Sequence, residues 1–127
     1  MFNTLLVTDD ITYRQTLADI LLWHFPLIDV DEANNGWEAL RKVEYRRPNL
    51  IFMDIHLPEE YGLNVTQEIK RIYDGIVIVI LSTNNQLEYR QRAFRNGADY
   101  FISKRDDTYL EKILARIDVA LARASHQ

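Results

Sequence analysis

Residues 49–62 read NLIFMDIHLPEEYG, and this stretch decides how the remaining residues are arranged. The apolar run Leu50–Met53 ends in one carboxylate, Asp54, with Pro48 before it and Pro58 four residues after Asp54. A short continuous apolar run between such breakers suits a strand buried on both faces, as in a parallel sheet. The strand would deliver Asp54 to its C-terminal end, the edge where open α/β sheets hold their ligands. A carboxylate is costly to desolvate unless a cation meets it.

The flanking sequence supplies the other layers. Leu5–Val7 predicts a buried strand ending at Asp9 and Asp10, followed by a helix with Tyr13, Leu17, Ile20, Leu21 and His24 on one stripe. Residues 28–33 (IDVDEA) alternate apolar and acidic residues, as in a strand with one solvated side. Asn34-Asn35-Gly36 starts a second helix marked by Trp37, Leu40 and Val43. Beyond Asp54 the pattern predicts a helix over Gly62–Tyr73, a doubly buried strand over Ile76–Leu81 and a helix through Leu87 and Phe94. Asn96-Gly97 closes that helix with a left-handed cap. Tyr100–Ile102 is a short strand before Lys104, and Asp106 or Asp107 caps a last helix carrying Leu110, Ile113, Leu114, Ile117 and Leu121. Strands alternating with helices imply an α/β fold: a five-stranded parallel sheet with helices on both faces. The two continuous apolar strands belong at its centre, which favours the flavodoxin-like order 2-1-3-4-5.

Composition narrows the class. The 127 residues suffice for one domain (1–127), and 47% hydrophobic with 27% charged content is that of a globular protein. The net charge of −4 argues against a nucleic-acid surface. The absence of cysteine excludes disulfides and thiolate metal sites. No membrane span or signal peptide is read, so a soluble, cytoplasmic protein is expected.

In such a sheet the strand ends share one edge. Asp9 and Asp10, Asp54, Ser82 and Lys104 are then expected to converge. Three carboxylates about 5 Å apart would repel by roughly 3 kcal/mol per pair at an effective dielectric of ~20, more than Lys104 alone offsets. Mg²⁺ would offset it, using one or two carboxylates, waters and a phosphate oxygen. Asp54 would act as a nucleophile toward a phosphoryl group, with Lys104 and the metal offsetting charge on the transferring oxygens and the Ser82 hydroxyl donating to one of them.

VTDD at 7–10, FMDIHLP at 52–58 with Gly62, ILST at 80–83 and NGADYFISK at 96–104 together resemble the response-regulator receiver domain of two-component signal transduction. The resemblance covers almost the whole chain. It implies Asp54 as phosphoacceptor, Asp10 and Asp54 as direct Mg²⁺ ligands, Asp9 acting through water, and the backbone carbonyl of His56 as a further ligand. Ser82 and Lys104 resemble the phosphate-sensing pair and Phe101 the aromatic switch. A histidine kinase or phosphotransfer protein, or a small phosphodonor, would supply phosphate. Output would run through the face of the fourth helix, fifth strand and fifth helix, to an effector domain or a homodimer. Such a domain is no enzyme beyond its own phosphorylation and dephosphorylation.

Four positions depart from the family pattern. Phe101 lacks a hydroxyl, Arg105 replaces a common proline, Thr83 a small residue, and Tyr61 an acid. Thr83 and Tyr61 are expected to crowd the pocket mouth. Plainer readings compete at each position: the acids as solvated loop charges, Ser82 as a hydroxyl bonding its own backbone, and Trp23, His24 and Trp37 as packing residues. The His56 side chain reads as an exposed loop group and Glu59-Glu60 as a solvated edge. Among functions, the runner-up is a pseudo-receiver that binds partners without phosphorylation. An aspartate-nucleophile phosphatase would need an acid where His56 stands. A flavin carrier would need a hydroxyl- and glycine-rich loop where TDDITYR stands, and no Walker-type glycine loop occurs.

Overall fold

Five strands lie parallel in one sheet: β1 (Asn3–Val7), β2 (Asp29–Ala33), β3 (Leu50–Asp54), β6 (Val77–Ser82) and β7 (Tyr100–Ser103). Their spatial order is β2-β1-β3-β6-β7, the expected 2-1-3-4-5 when the sheet's own strands are numbered. The structure, a computed structural model, describes residues 1–58 and 60–125, with Glu60 described by its backbone alone. The Glu59 part of the acidic edge and the last two residues lie outside that description.

Alternate residues of each central strand serve different layers. Leu5, Val7, Ile51, Met53, Ile78 and Ile80 pack against α2 (Gly36–Tyr45), α3 (Gly62–Ile72) and α4 (Leu87–Arg95). Leu6, Phe52, Val79, Leu81 and Ile102 pack against α1 (Ile11–His24) and α5 (Tyr109–Ala124). Burial on both faces explains why these strands read as unbroken apolar runs. No helix among the described residues is long and apolar enough to cross a membrane.

Several local expectations change. The acids of β2 are paired rather than free on a solvated side: Glu32 with Arg14, Asp31 with Lys42 and Asp29 with Arg46. Charges suit β2 because it is an edge strand that must not recruit another. Trp23 and Trp37 are 84% and 63% exposed, so neither is a packing residue; the Arg41 guanidinium lies 4.8 Å from the Trp37 ring centroid. Thr108, not Asp106 or Asp107, is the residue at the α5 N-cap, without a side-chain cap bond. Asp106 instead accepts from the Thr108 N–H (2.8 Å) and hydroxyl (2.7 Å), and pairs with Lys112. Two short strands, β4 (His56–Leu57) and β5 (Glu60–Tyr61), pair antiparallel, which the sequence pattern did not suggest. The Gly97 cap is as expected, with φ of 100°.

Candidate functional site

Register places the chemistry. Met53 pairs with Val7 in β1, Asp54 with Leu81 in β6, and Ser82 with Ser103 in β7. The Lys104 N–H donates to the Ser82 carbonyl at 2.8 Å, extending the β6–β7 ladder by one step. Its ammonium thereby reaches back across β6 to within 2.7 Å of Asp54 Oδ1. Asp54 is only 8% exposed, so this cation is what offsets its desolvation. The two groups are not aligned as a hydrogen bond, and Asp54 Oδ1 has no hydrogen-bond partner. A buried anionic oxygen in that state can accept a further donor or a cation.

Beside Asp54 a pocket of about 150 Å³ is walled by the polar residues Ser82, Thr83, His56 and Lys104. Ser82 closes β6 rather than following it, and is buried. Its Oγ accepts the Asn84 N–H at 3.0 Å, which leaves the hydroxyl proton for another acceptor. Gly62 seats α3 against the phosphoacceptor candidate: its N–H donates to the Ile55 carbonyl at 2.5 Å, and a Cβ there would fall 2.0 Å from the Asp54 carbonyl oxygen. Only glycine permits that approach.

The acids at the end of β1 are exposed. Asp10 caps α1, its Oδ1 accepting the Tyr13 N–H at 3.0 Å. Among the described residues no three acidic or imidazole side chains form a ready metal cluster, so Asp9, Asp10 and Asp54 are not a preassembled triad. A hard ion that keeps several waters needs only one or two carboxylates, and Asp54 with the exposed acids just beyond the end of β1 fits that requirement.

Two residues of α1 belong to the site although no motif marked them. The Lys104 ammonium lies 4.5 Å from the Tyr13 ring centroid. Burial, and then the nearby Tyr109, Asp54 and Asp10, hold the Tyr13 phenol above its ordinary range; its oxygen is buried without a partner. Arg14 is buried and grips three elements, donating to the Thr8 carbonyl, Glu32 Oε1 and Asn34 Oδ1, each at 2.7 Å. It pins the end of β1 from which Asp9 and Asp10 project. Spacing from Asp10 was the available signal, but a basic residue on a helix ordinarily reads as solvent-facing.

Of the departures, Thr83 lines the Asp54 pocket. Tyr61 does not; with Leu40, His56, Leu57 and Glu68 it lines a cavity between α2 and α3. Phe101 is 7% exposed and packed inward, with the Arg90 guanidinium 5.0 Å from its ring centroid. The Lys104–Arg105 peptide is trans.

A family model for the response regulator receiver domain matches residues 4–118. The chain belongs to that family, the signalling domain of two-component systems rather than a conventional enzyme, whose members generally bind Mg²⁺ in an acidic pocket. Among particular relatives, it is 37% identical over 102 residues to the chemotaxis protein CheY of Halobacterium salinarum, covering 80% of this chain and 83% of that one. It is 33% identical over 119 residues to the response regulator MprA of Mycobacterium leprae, covering 94% of this chain but 50% of MprA. A two-component response regulator from Clostridium difficile superposes with a TM-score of 0.86 at 25% identity, over 98% of each chain. The CheY-like receiver domain protein from Methanospirillum hungatei gives 0.82 at 26% identity, over 97% of this chain and 98% of that one.

Proposed function

We propose that residues 1–127 form one receiver unit that accepts a phosphoryl group on Asp54 and converts it into a change of surface. The observation that carries this reading is the 2.7 Å approach of Lys104 Nζ to Asp54 Oδ1 at the sheet edge, beside buried Ser82. An Asp54 carboxylate oxygen attacks phosphorus while the bond to the donor's leaving atom breaks. Lys104 offsets charge on the transferring oxygens, and the Ser82 hydroxyl donates to one of them. Asp54 and Asp10 directly, Asp9 through water, and the His56 backbone carbonyl would hold Mg²⁺, which supplies charge neutralisation when bound.

The donor is a histidine kinase, a phosphotransfer protein or a small phosphodonor, in the cytoplasm. Output runs through α4, β7 and α5, where Phe101 and Arg90 meet, toward an effector domain or a second copy. A pseudo-receiver is the second reading, favoured by one observation: Asp10 is already engaged in capping α1.

Beryllofluoride with Mg²⁺ separates the two. The switch predicts metal-dependent amide shifts at Ser82, Lys104 and along β7 in the wild type, lost in Asp54→Asn. The same response in both proteins removes Asp54 from its role.

A further inference from the structure

The loop after Ser82 and the residue after Lys104 bound a second cavity, of about 350 Å³, lined by His56, Thr83, Asn84, Asn85, Gln86 and Arg105. It shares His56 and Thr83 with the Asp54 pocket, so the two are contiguous. Its walls are held in place. Asn84 N–H donates to Ser82 Oγ at 3.0 Å, Gln86 N–H to Asn84 Oδ1 at 3.0 Å, and Arg105 N–H to Ser103 Oγ at 3.2 Å. Among the described residues no carboxylate lines the cavity. Among the described residues Arg105 takes part in no ion pair, and its side chain is exposed. Amides and a free guanidinium make this an anion-accepting surface.

Phosphoryl transfer places the attacking and leaving atoms roughly in line across phosphorus. With Asp54 buried, a leaving group in line with it must lie on the side open to solvent, and this cavity adjoins the Asp54 pocket through His56 and Thr83. We infer that the cavity is the leaving-group subsite for a small acyl phosphate donor, and that Arg105 sets the preference for it. The inference rests on Asp54 being the phosphoacceptor. In the step, an Asp54 carboxylate oxygen forms a bond to phosphorus and the bond from phosphorus to the acyl oxygen breaks. The electron pair leaves with that oxygen, and the product is a carboxylate that needs no proton. Negative charge therefore grows where a guanidinium can engage two carboxylate oxygens at once. A donor that departs as neutral ammonia offers Arg105 no anion to hold.

The test compares acetyl phosphate with phosphoramidate on the full chain in Mg²⁺, for wild type, Arg105→Ala and Arg105→Lys. Beryllofluoride, which has no leaving group, serves as the control for the Asp54 pocket. Arg105→Ala is expected to raise the half-saturating acetyl phosphate concentration about fivefold, equivalent to ~1 kcal/mol for an exposed charge pair. The phosphoramidate value should stay unchanged, Arg105→Lys should fall between, and beryllofluoride should act on all three proteins alike. Equal losses with both donors, or no loss with either, overturn the subsite while the beryllofluoride response keeps the Asp54 reading intact. A wild type that ignores beryllofluoride takes down the Asp54 reading and this inference together.

Discussion

Gly62→Ala should be among the most damaging single-methyl changes in this chain. The added Cβ would lie 2.0 Å from the Asp54 carbonyl oxygen, 2.9 Å from its carbonyl carbon and 3.0 Å from Ile55 Cα. All three obstacles are backbone, so no rotamer change relieves them; α3 must move off the end of β3. That movement breaks the Gly62 N–H to Ile55 carbonyl hydrogen bond. Overpacking of this kind costs roughly 1–3 kcal/mol and a lost buried hydrogen bond about 1 more, together about 2–4 kcal/mol. An unfolding entropy of about 2.1 cal/mol/K per residue gives roughly 270 cal/mol/K for this chain, so the melting midpoint falls by roughly 7–15 °C. Gly75→Ala is the matched control: nothing lies within 4 Å of its Cβ and its φ is not left-handed. It should leave stability unchanged or raise it by up to about 1 kcal/mol. Thermal unfolding followed by circular dichroism reads both. Phosphorylation of Gly62→Ala should fall as well, because the displaced backbone is that of Asp54 itself. A Gly62→Ala protein that melts with the wild type and takes up phosphate normally would refute the reasoning.

Arg14→Gln should destabilise the fold by roughly 2–3 kcal/mol, somewhat less than a fully buried broken ion pair because Glu32 is 35% exposed. It should also weaken Mg²⁺ binding by loosening the end of β1; a stable variant with wild-type metal affinity by titration calorimetry would contradict that. Hydrogen bonds from Lys112 and Thr108 hold the Asp106 carboxyl well below the usual carboxylate range. Its contribution is therefore fully present above the unfolded value near 3.9, and is lost as pH falls below it toward the folded value. Urea unfolding should accordingly show Asp106→Asn less stable than wild type at neutral pH, with the gap closing in strong acid; a gap independent of pH would exclude that role.

The sheet was legible because its order follows from which strands are apolar on both faces, and Asp54 and Lys104 followed from the shared edge of parallel strands. Shorter-range features were not. Two residues per strand in β4 and β5 are too few for any period to register. Asp10 could serve as helix cap or metal ligand from the same position in the sequence, and only backbone geometry shows the cap. Arg14 was missed because its burial depends on Glu32 and Asn34 coming from another strand and loop. The exposure of Trp23 and Trp37 is not legible because aromatic size does not fix burial: a ring at a helix surface can remain in solvent or stack on a neighbouring arginine. Tyr61 was expected at the mouth of the Asp54 pocket, but it does not line that pocket, and its ring lies 5.6 Å from the Arg92 guanidinium of α4.

The most direct test of the central claim is to treat the protein with acetyl phosphate and Mg²⁺, trap the acyl phosphate chemically and map the modified residue by mass spectrometry. The account predicts modification at Asp54, strongly reduced in Lys104→Ala. A phosphoryl group found on another side chain, or an undiminished yield at Asp54 without Lys104, would contradict it.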